Sequence, residues 1–206
     1  MRNAFAKELS NIAQKNKKIV LLSGDIGNRL FDNFRKNFPT RFHNCGIAEA
    51  SMTGVASGLA HLGLRPITYT IATFNTIRCL EQIKLDVCYP NLPVIIVGTG
   101  AGLSYSSLGS THHSIEDIAL LRSIPNLSIL CPSDPKEVKK LLNDAIKLKG
   151  PVYLRLGKKN EPVVESRRKI GKSNIIVNGK NNLIISVGNI LIEAINASKK
   201  LKKAKI

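Results

Sequence analysis

The chain has 206 residues, of which 43% are hydrophobic, and it carries a formal net charge of +17 at pH 7. This length is enough for one ample core and a small second unit. The sequence has no apolar run long enough to span a bilayer, and its first residues are typical of an amphipathic helix, not of a secretory signal. Four scattered cysteines without CxxC spacing indicate a reduced, cytoplasmic protein.

The positive charge is unevenly distributed along the chain. Residues 1–135 hold 13 lysine and arginine residues against 9 acidic ones, whereas residues 136–206 hold 18 against 5. The second group consists mostly of lysines on predicted helix faces and in a linker, with few aromatic side chains that could stack on bases. We therefore interpret the charge as a lysine-rich composition and expect no nucleic-acid partner.

Six apolar runs alternate with helical patterns along residues 1–160. Runs of this kind are typical of strands that are buried on both faces of a parallel sheet. The predicted strands lie in KIVLLSGD, RFHNCG, RPITYTIA, LPVIIVGTG, NLSILCPSD and GPVYLRLG. Helices are predicted at 1–18, 75–88 and 135–148, and Ser133 or Asp134 is expected to cap the last of them. The sequence thus predicts an α/β fold, a mainly parallel sheet with helices on both faces.

The character of the sequence changes after residue 160. Residues 161–173 are polar and basic, which predicts a linker between domains. Residues 174–206 supply one more strand and one more helix, and a lone unit of this kind cannot bury its own apolar faces. We expect either a fragment or a unit that docks elsewhere.

One carboxylate, Glu49, lies where the second strand turns into a helix of small residues, in RFHNCGIAEASMTGVASGLAHLG. With Gly46 as the N-cap, Glu49 would be the third helical residue, where a glutamate commonly bonds free backbone amides. From this segment alone, helix capping is the favoured interpretation.

The segment after the fourth strand, GTGAGLSYSSLGSTHH, is long and glycine-rich. It follows the C-terminal end of a strand, where open α/β sheets bind ligands. His112 and His113 could form a metal pair, but adjacent loop histidines point in different directions and no ligand set surrounds them. Glu116 and Asp117 are predicted to be acids of a first helical turn.

Four segments together resemble the pyrimidine-binding domain of the transketolase family. They are RFHNCGIAEASMTGVASGLAHLGLRPI, ATFNTIRCLEQIKLDVCYPNLPVIIVG, AGLSYSSLGSTHHSIEDIALLRSIPNLSILCPSD and GPVYLRLG. The match covers about residues 1–160, and residues 174–206 resemble the start of that family's C-terminal domain, cut short. The resemblance implies a transferase that moves a two-carbon ketol unit between sugar phosphates with thiamine diphosphate and Mg²⁺.

The resemblance also assigns roles to individual residues. Glu49, in GIAE, matches the glutamate that meets N1′ of the aminopyrimidine and assists proton removal from the thiazolium ring. Phe74 matches the aromatic residue stacked on the aminopyrimidine, and Asp25 matches an acid near the cofactor; core packing and a turn are the alternative interpretations. His112 matches a candidate proton shuttle near the substrate, and Arg29 matches a residue near the substrate phosphate.

The sequence departs from the family pattern at residues that lie in or beside two of these motifs. Ser107 and Leu108 stand where the family has a pair of acids before its GxTH string, and Ala50 follows GIAE where the family has Gln. Leu108 therefore replaces an acid that helps to read a sugar hydroxyl, which argues against ordinary pentose-phosphate specificity.

The family holds the diphosphate and Mg²⁺ on another domain, through a GDG motif followed by asparagines, and this sequence has no such string. We therefore expect half of an active site without a metal ligand of its own. The expected partner is a diphosphate-binding transketolase subunit, in a homo- or hetero-oligomer such as a dimer or heterotetramer. The alternatives are a related thiamine diphosphate carboligase or 2-oxoacid dehydrogenase β-type subunit, and a catalytically silent scaffold of the same fold.

Overall fold

Six parallel strands form the central sheet, in the order β2-β1-β3-β4-β6-β5. The structure is a computed structural model that describes residues 1–158, 161–164, 170–180, 182–201 and 204–205. The strands are β1 (Ile19–Ser23), β2 (Phe42–Asn44), β3 (Arg65–Ile71), β4 (Ile95–Thr99), β5 (Ser128–Leu130) and β6 (Val152–Leu156). Each of the six predicted strands is confirmed, as is the parallel arrangement.

Helices connect the strands and cover the sheet. They are α1 (Arg2–Lys15), α2 (Asp32–Asn37), α3 (Glu49–His61), α4 (Leu80–Gln82), α5 (Asp117–Leu121) and α6 (Pro135–Ala145). Short 3₁₀ turns lie at Pro39–Arg41, Ile77–Cys79, Ser106–Leu108 and Ser110–His112. The Asp134 side chain accepts a hydrogen bond from the Glu137 amide at 2.7 Å, which confirms it as the cap of α6.

Both faces of the sheet are packed, because successive side chains of each buried strand point to opposite sides. Ile19 and Leu21 of β1 belong to the core beneath α1, α2 and α6. Val20 and Leu22 belong to the other core, which lies against α3 and the segment after β3. The continuous apolar runs in the sequence therefore have a direct cause, since neither face of these strands meets water.

The predicted helix at 75–88 exists, but it is not a continuous α-helix. The 3₁₀ turn Ile77–Cys79 leads into α4 and then into a π-helical turn, Ile83–Cys88. The Tyr89 amide bonds the Lys84 carbonyl at 2.9 Å, five residues back. The wider turn keeps Ile83, Val87 and Cys88 buried in the core of that face.

Beyond the sheet, the chain forms β7 (Asn182–Leu183), a 3₁₀ turn at Gly188–Ile190, α7 (Leu191–Lys200) and β8 (Ala204–Lys205). β7 and β8 pair in parallel as a separate two-stranded sheet. Of the predicted linker at 161–173, residues 165–169 lie outside the described residues. The boundaries of the linker and of the C-terminal unit stay predictions.

Candidate active site

The loops that follow β1, β2, β3 and β4 meet at one edge of the sheet, because parallel strands all end there. β1 lies between β2 and β3, so the chain winds outward in both directions from this strand. In open α/β sheets such a reversal leaves a crevice at the carboxyl ends of the strands, where ligands bind. The candidate residues on these loops are therefore placed by the topology at a common edge.

Glu49 is the first residue of α3, and only 1% of its surface is exposed. The prediction that Gly46 is the N-cap and Glu49 the third helical residue is wrong, since Ala48 is the N-cap. Gly46 adopts a left-handed φ of 68° in the preceding turn instead. Within the described part of the chain, the partner of the Glu49 carboxylate is a side chain and not the helix's own amides.

That partner is Arg78, which follows β3. Its Nη1 donates to Glu49 Oε2 at 2.6 Å, and the Arg78 side chain is 45% exposed. The guanidinium carbon lies 4.5 Å from the centre of the Phe74 ring. One planar cation thus bonds a buried carboxylate and lies over an aromatic face.

The end of β1 packs directly against Glu49. A Cβ on Gly24 would lie 3.0 Å from Thr70 Cβ and 3.3 Å from Glu49 Cγ, so only a glycine fits without movement. The next residue, Asp25, is exposed and has a φ of 54°. Asn44 holds it through Nδ2, which donates to Asp25 Oδ1 at 2.9 Å.

The same Asn44 side chain fixes the turn that leads to α3. Its Oδ1 accepts from the amides of Asp25 at 3.2 Å and Gly46 at 3.0 Å. Asn44 thereby ties the loop after β1 to the loop after β2. The sequence pattern did not single out this asparagine.

Phe74 and His112 lie in contact. Their ring centres are 5.2 Å apart with planes at 65°, and both residues are partly exposed. His112 also lies 6.1 Å from the ring of Tyr105 and pairs through Nδ1 with Thr111 Oγ1 at 3.0 Å. The structure therefore connects Glu49, Arg78, Phe74 and His112 in one continuous row of contacts.

Asp25 contacts Asn44 and not this row, and the other two predicted residues also lie outside it. Leu108 is 52% exposed and ends the turn just before the one that carries His112. Arg29 is exposed and lines a cavity of about 300 Å³ with side chains of α1 and α2. The described contacts do not bring Arg29 to Glu49, Phe74 or His112.

A buried polar cluster supports the long loop after β4, and sequence reasoning missed most of it. Asp117 is indeed the first residue of α5, but its Oδ2 also accepts from Tyr153 Oη at 2.7 Å and Arg155 Nε at 2.8 Å. Arg155 further donates to the Ser114 carbonyl at 3.3 Å. Ser114 and Gly102 exchange two backbone hydrogen bonds, which close the loop on itself.

The Tyr153 side chain packs closely against the backbone of Gly98 in the neighbouring strand β4. A Cβ on Gly98 of β4 would lie 2.6 Å from Tyr153 Oη and 2.9 Å from Ala72 Cα. Burial and the neighbouring Asp117 carboxylate raise the pKa of Tyr153 well above its ordinary value of 10.0. The hydroxyl is thus held protonated as a donor to Asp117.

The described residues contain neither a candidate metal cluster nor a candidate membrane-spanning helix. In that part of the chain, histidine, cysteine, aspartate and glutamate side chains form no group of three that could hold a metal ion. None of the helices described there is both long enough and apolar enough to cross a membrane.

Comparisons with known proteins bear on this arrangement. Residues 1–163 match the family model described as transketolase, pyrimidine binding domain. The chain belongs to this family. Among curated transketolase relatives, it is 35% identical over 207 residues to an apulose-4-phosphate transketolase subunit of Phocaeicola vulgatus, covering 98% of this chain and 66% of the relative.

The chain is also similar to a synthase and to a solved transketolase structure. A 1-deoxy-D-xylulose-5-phosphate synthase of Dictyoglomus thermophilum is 37% identical over 205 residues, which cover 96% of this chain but 33% of that protein. A solved structure of a split gene transketolase, described as an inactive beta4 tetramer, superposes with a TM-score of 0.88 at 37% identity, covering 99% of this chain and 69% of that one. The chain thus spans only part of the length of its transketolase relatives, and the fold expected from the resemblance is confirmed.

The Tyr153–Asp117 hydrogen bond gives a prediction about stability. Tyr153→Phe should lower the free energy of unfolding by about 1–3 kcal/mol, because it leaves a buried carboxylate oxygen with one donor fewer. The deficit should shrink above pH 10, where only the wild type loses the stability that comes from keeping Tyr153 protonated. Urea unfolding of both proteins at neutral and alkaline pH measures this.

Tyr89→Phe is the matched control, because Tyr89 is 85% exposed. Its effect should stay within about 0.5 kcal/mol. Equal losses in the two variants would contradict a supporting role for the Tyr153 hydroxyl.

Proposed function

We propose that this chain is the pyrimidine-binding half of a split, thiamine diphosphate-dependent transferase that moves a two-carbon ketol unit between sugar phosphates. The observation that carries the proposal is the buried Glu49 carboxylate, linked through Arg78 to the half-buried ring of Phe74 at the carboxyl edge of the sheet. Membership of the transketolase family supports it. In this proposal Glu49 binds N1′ of the aminopyrimidine and Phe74 stacks on the ring.

The residues present fit an aminopyrimidine. A planar, nitrogen-containing cation already satisfies the carboxylate and the aromatic face together, since Arg78 contacts both. A flat heteroaromatic ring needs the same two contacts, a hydrogen bond in its plane and a surface to stack on. When bound, thiamine diphosphate supplies the electron sink that ketol transfer requires, and the protein supplies position and electrostatics.

The diphosphate and Mg²⁺ are proposed to lie on a partner chain. Mg²⁺ prefers oxygen ligands such as carboxylates and phosphates, and the described residues contain no cluster of acids that could hold it. Two relatives support a divided enzyme, because one is named as a transketolase subunit and the other is described as a split gene transketolase in an inactive beta4 tetramer. We infer a partner of transketolase type that completes the site.

His112 is proposed as the group that moves a proton on the substrate. Its ring touches Phe74 and is partly exposed, so a molecule bound against Phe74 would meet it. An imidazole can both donate and accept a proton, which suits an acid or a base in catalysis. Asp25, one residue from the contact of Gly24 with Glu49, is proposed to line the cofactor site, and Arg29 to attract the substrate phosphate.

A thiamine diphosphate carboligase is the second candidate. The likeness to a 1-deoxy-D-xylulose-5-phosphate synthase favours it, because that protein is as similar over the aligned residues as the transketolase subunit is. Both candidates use the same half-site, and product analysis of the assembled enzyme separates them. A silent scaffold would show neither activity with any diphosphate-binding partner.

Glu49→Gln tests the central assignment. In the enzyme assembled with its partner, the variant should lose about 10²-fold or more in kcat, since proton-transfer assistance typically contributes that much. The fold should survive, because glutamine is close to isosteric and the backbone of α3 does not use the carboxylate. Steady-state kinetics with circular dichroism as the folding control measures this, and near-normal turnover would refute the assignment.

The divided site predicts the behaviour of the chain alone. If the partner holds the diphosphate and the metal, the isolated protein should not bind thiamine diphosphate in the micromolar range, with or without Mg²⁺. Isothermal titration calorimetry measures this, with the partner-reconstituted enzyme as the positive control. Micromolar, Mg²⁺-dependent binding by the isolated chain would overturn the split-site proposal.

Leu108 is proposed to relax selection for a substrate hydroxyl. An apolar wall rejects an added hydroxyl only weakly, whereas a site built to bond a hydroxyl discriminates strongly. The test compares kcat/KM for two acceptors that differ only in this hydroxyl. Leu108→Asp should therefore favour the hydroxylated acceptor over the other by an additional free-energy difference of about 1–3 kcal/mol.

Leu62→Asp is the control, because Leu62 is also exposed but lies at the other end of α3 from Glu49. It should leave the acceptor ratio unchanged. An unchanged ratio in Leu108→Asp as well would mean that Leu108 does not touch the substrate.

A further inference from the structure

Arg78 contacts two groups of the proposed site at once. It pairs with the carboxylate of Glu49, which is 1% exposed, and its guanidinium lies 4.5 Å from the centre of the Phe74 ring. These are the two groups proposed to bind the aminopyrimidine. Glu49 and Arg78 are 29 positions apart in the sequence, so the fold and not local structure brings them together.

The guanidinium and the aminopyrimidine share the chemistry that this place selects. Both are flat, both carry nitrogen in the plane, and both present a face to an aromatic ring. A buried carboxylate without a partner is strongly unfavourable, so the cofactor-free chain needs a group in this position. Arg78 provides that group.

We propose that Arg78 occupies the place of the aminopyrimidine in the cofactor-free chain and is displaced from Glu49 and Phe74 when the ring binds. This inference rests on the proposed function, because it takes Glu49 and Phe74 as the aminopyrimidine site. It adds an internal competitor for the cofactor to that site.

The surroundings of Arg78 permit the displacement. The side chain is 45% exposed, so leaving Glu49 does not require the core to open. It also lines a cavity of about 590 Å³ on the side of Glu81, Lys84 and Leu85. This cavity offers space for the displaced side chain, and the Glu81 carboxylate in its wall offers a second ionic partner.

The competition can be measured on the full chain without its partner. Thiamine, which carries the aminopyrimidine and lacks the diphosphate, is titrated at millimolar concentration and followed by ligand-observed NMR. A site that is partly filled by its own side chain shows an apparent affinity reduced by the filled fraction. Because the Arg78 end of this partly buried pair is 45% exposed, the competition should be modest, and Arg78→Ala should bind thiamine about fivefold more tightly than the wild type.

Three variants accompany Arg78→Ala. Arg41→Ala is the matched control, because the Arg41 guanidinium also lies over a phenylalanine ring, 4.2 Å from the centre of Phe38 and far along the chain from Arg78. The Arg41→Ala variant should bind thiamine as the wild type does. Arg78→Lys keeps the charge and loses the planar face, so its affinity should lie between those of wild type and Arg78→Ala. Glu49→Gln combined with Arg78→Ala should abolish binding.

The outcomes separate the inference from the proposed function. If wild type and Arg78→Ala bind thiamine equally, within about twofold, and the added Glu49→Gln change abolishes binding, the aminopyrimidine site stands and the competing role of Arg78 is overturned. If no variant binds thiamine, or binding ignores Glu49, the site assignment fails and the inference fails with it. Circular dichroism establishes folding, and Arg78→Lys carries the test if Arg78→Ala does not fold.

Discussion

The charge of Glu49 is the constraint from which the site can be understood. A carboxylate that is 1% exposed must be paired, because burying a lone charge costs far more than one hydrogen bond returns. Its position at the start of α3 offers only part of a solution, since the helix amides there are not its partners. The loop after β3 has to supply a cation, and Arg78 is placed there by a 3₁₀ turn and kept there by a stack on Phe74.

The sheet makes this pairing possible. Glu49 follows β2 and Arg78 follows β3, which lie on opposite sides of β1. Gly24, directly after β1, has no side chain, which leaves room for Glu49 beside Thr70. Under the proposed function, the cofactor ring meets a carboxylate at the start of α3 and an aromatic face in the turn after β3. The proposed partner would then need only to bring the anionic end of the cofactor to this edge.

The sequence predicted the architecture well and the interactions poorly. The strands were readable because residues such as Ile19, Val20 and Leu21 are apolar in succession, which only a sheet buried on both faces explains. The helix start at Glu49 was misjudged because Gly46 uses its conformational freedom for a turn and not for a cap. Turn geometry of this kind depends on the Asn44 side chain, a tertiary detail that periodicity does not carry.

The residues of the candidate site likewise fall into those that the sequence identified and those that it did not. Glu49, Phe74 and His112 were identified through a family resemblance, and the structure connects them, but their roles stay proposals. Arg78 carried no signal, since an arginine in an amphipathic segment is ordinary. Asp117 was explained as a helix-start acid, which is true but incomplete, because its partners Tyr153 and Arg155 come from a strand 36 and 38 residues away.

The structure of the loop after β4 depends on a glycine within the sheet, Gly98, because the Tyr153 hydroxyl that bonds Asp117 packs against it. A Cβ at this position would meet both the Tyr153 ring and the backbone at Ala72, so even the smallest side chain would have to move both. Sequence changes in this loop can therefore alter its exposed side chains, but they cannot place a larger residue at the strand position beneath it. In variants of this chain that still fold, Gly98 should therefore stay glycine while the exposed Ser107 and Leu108 are free to change.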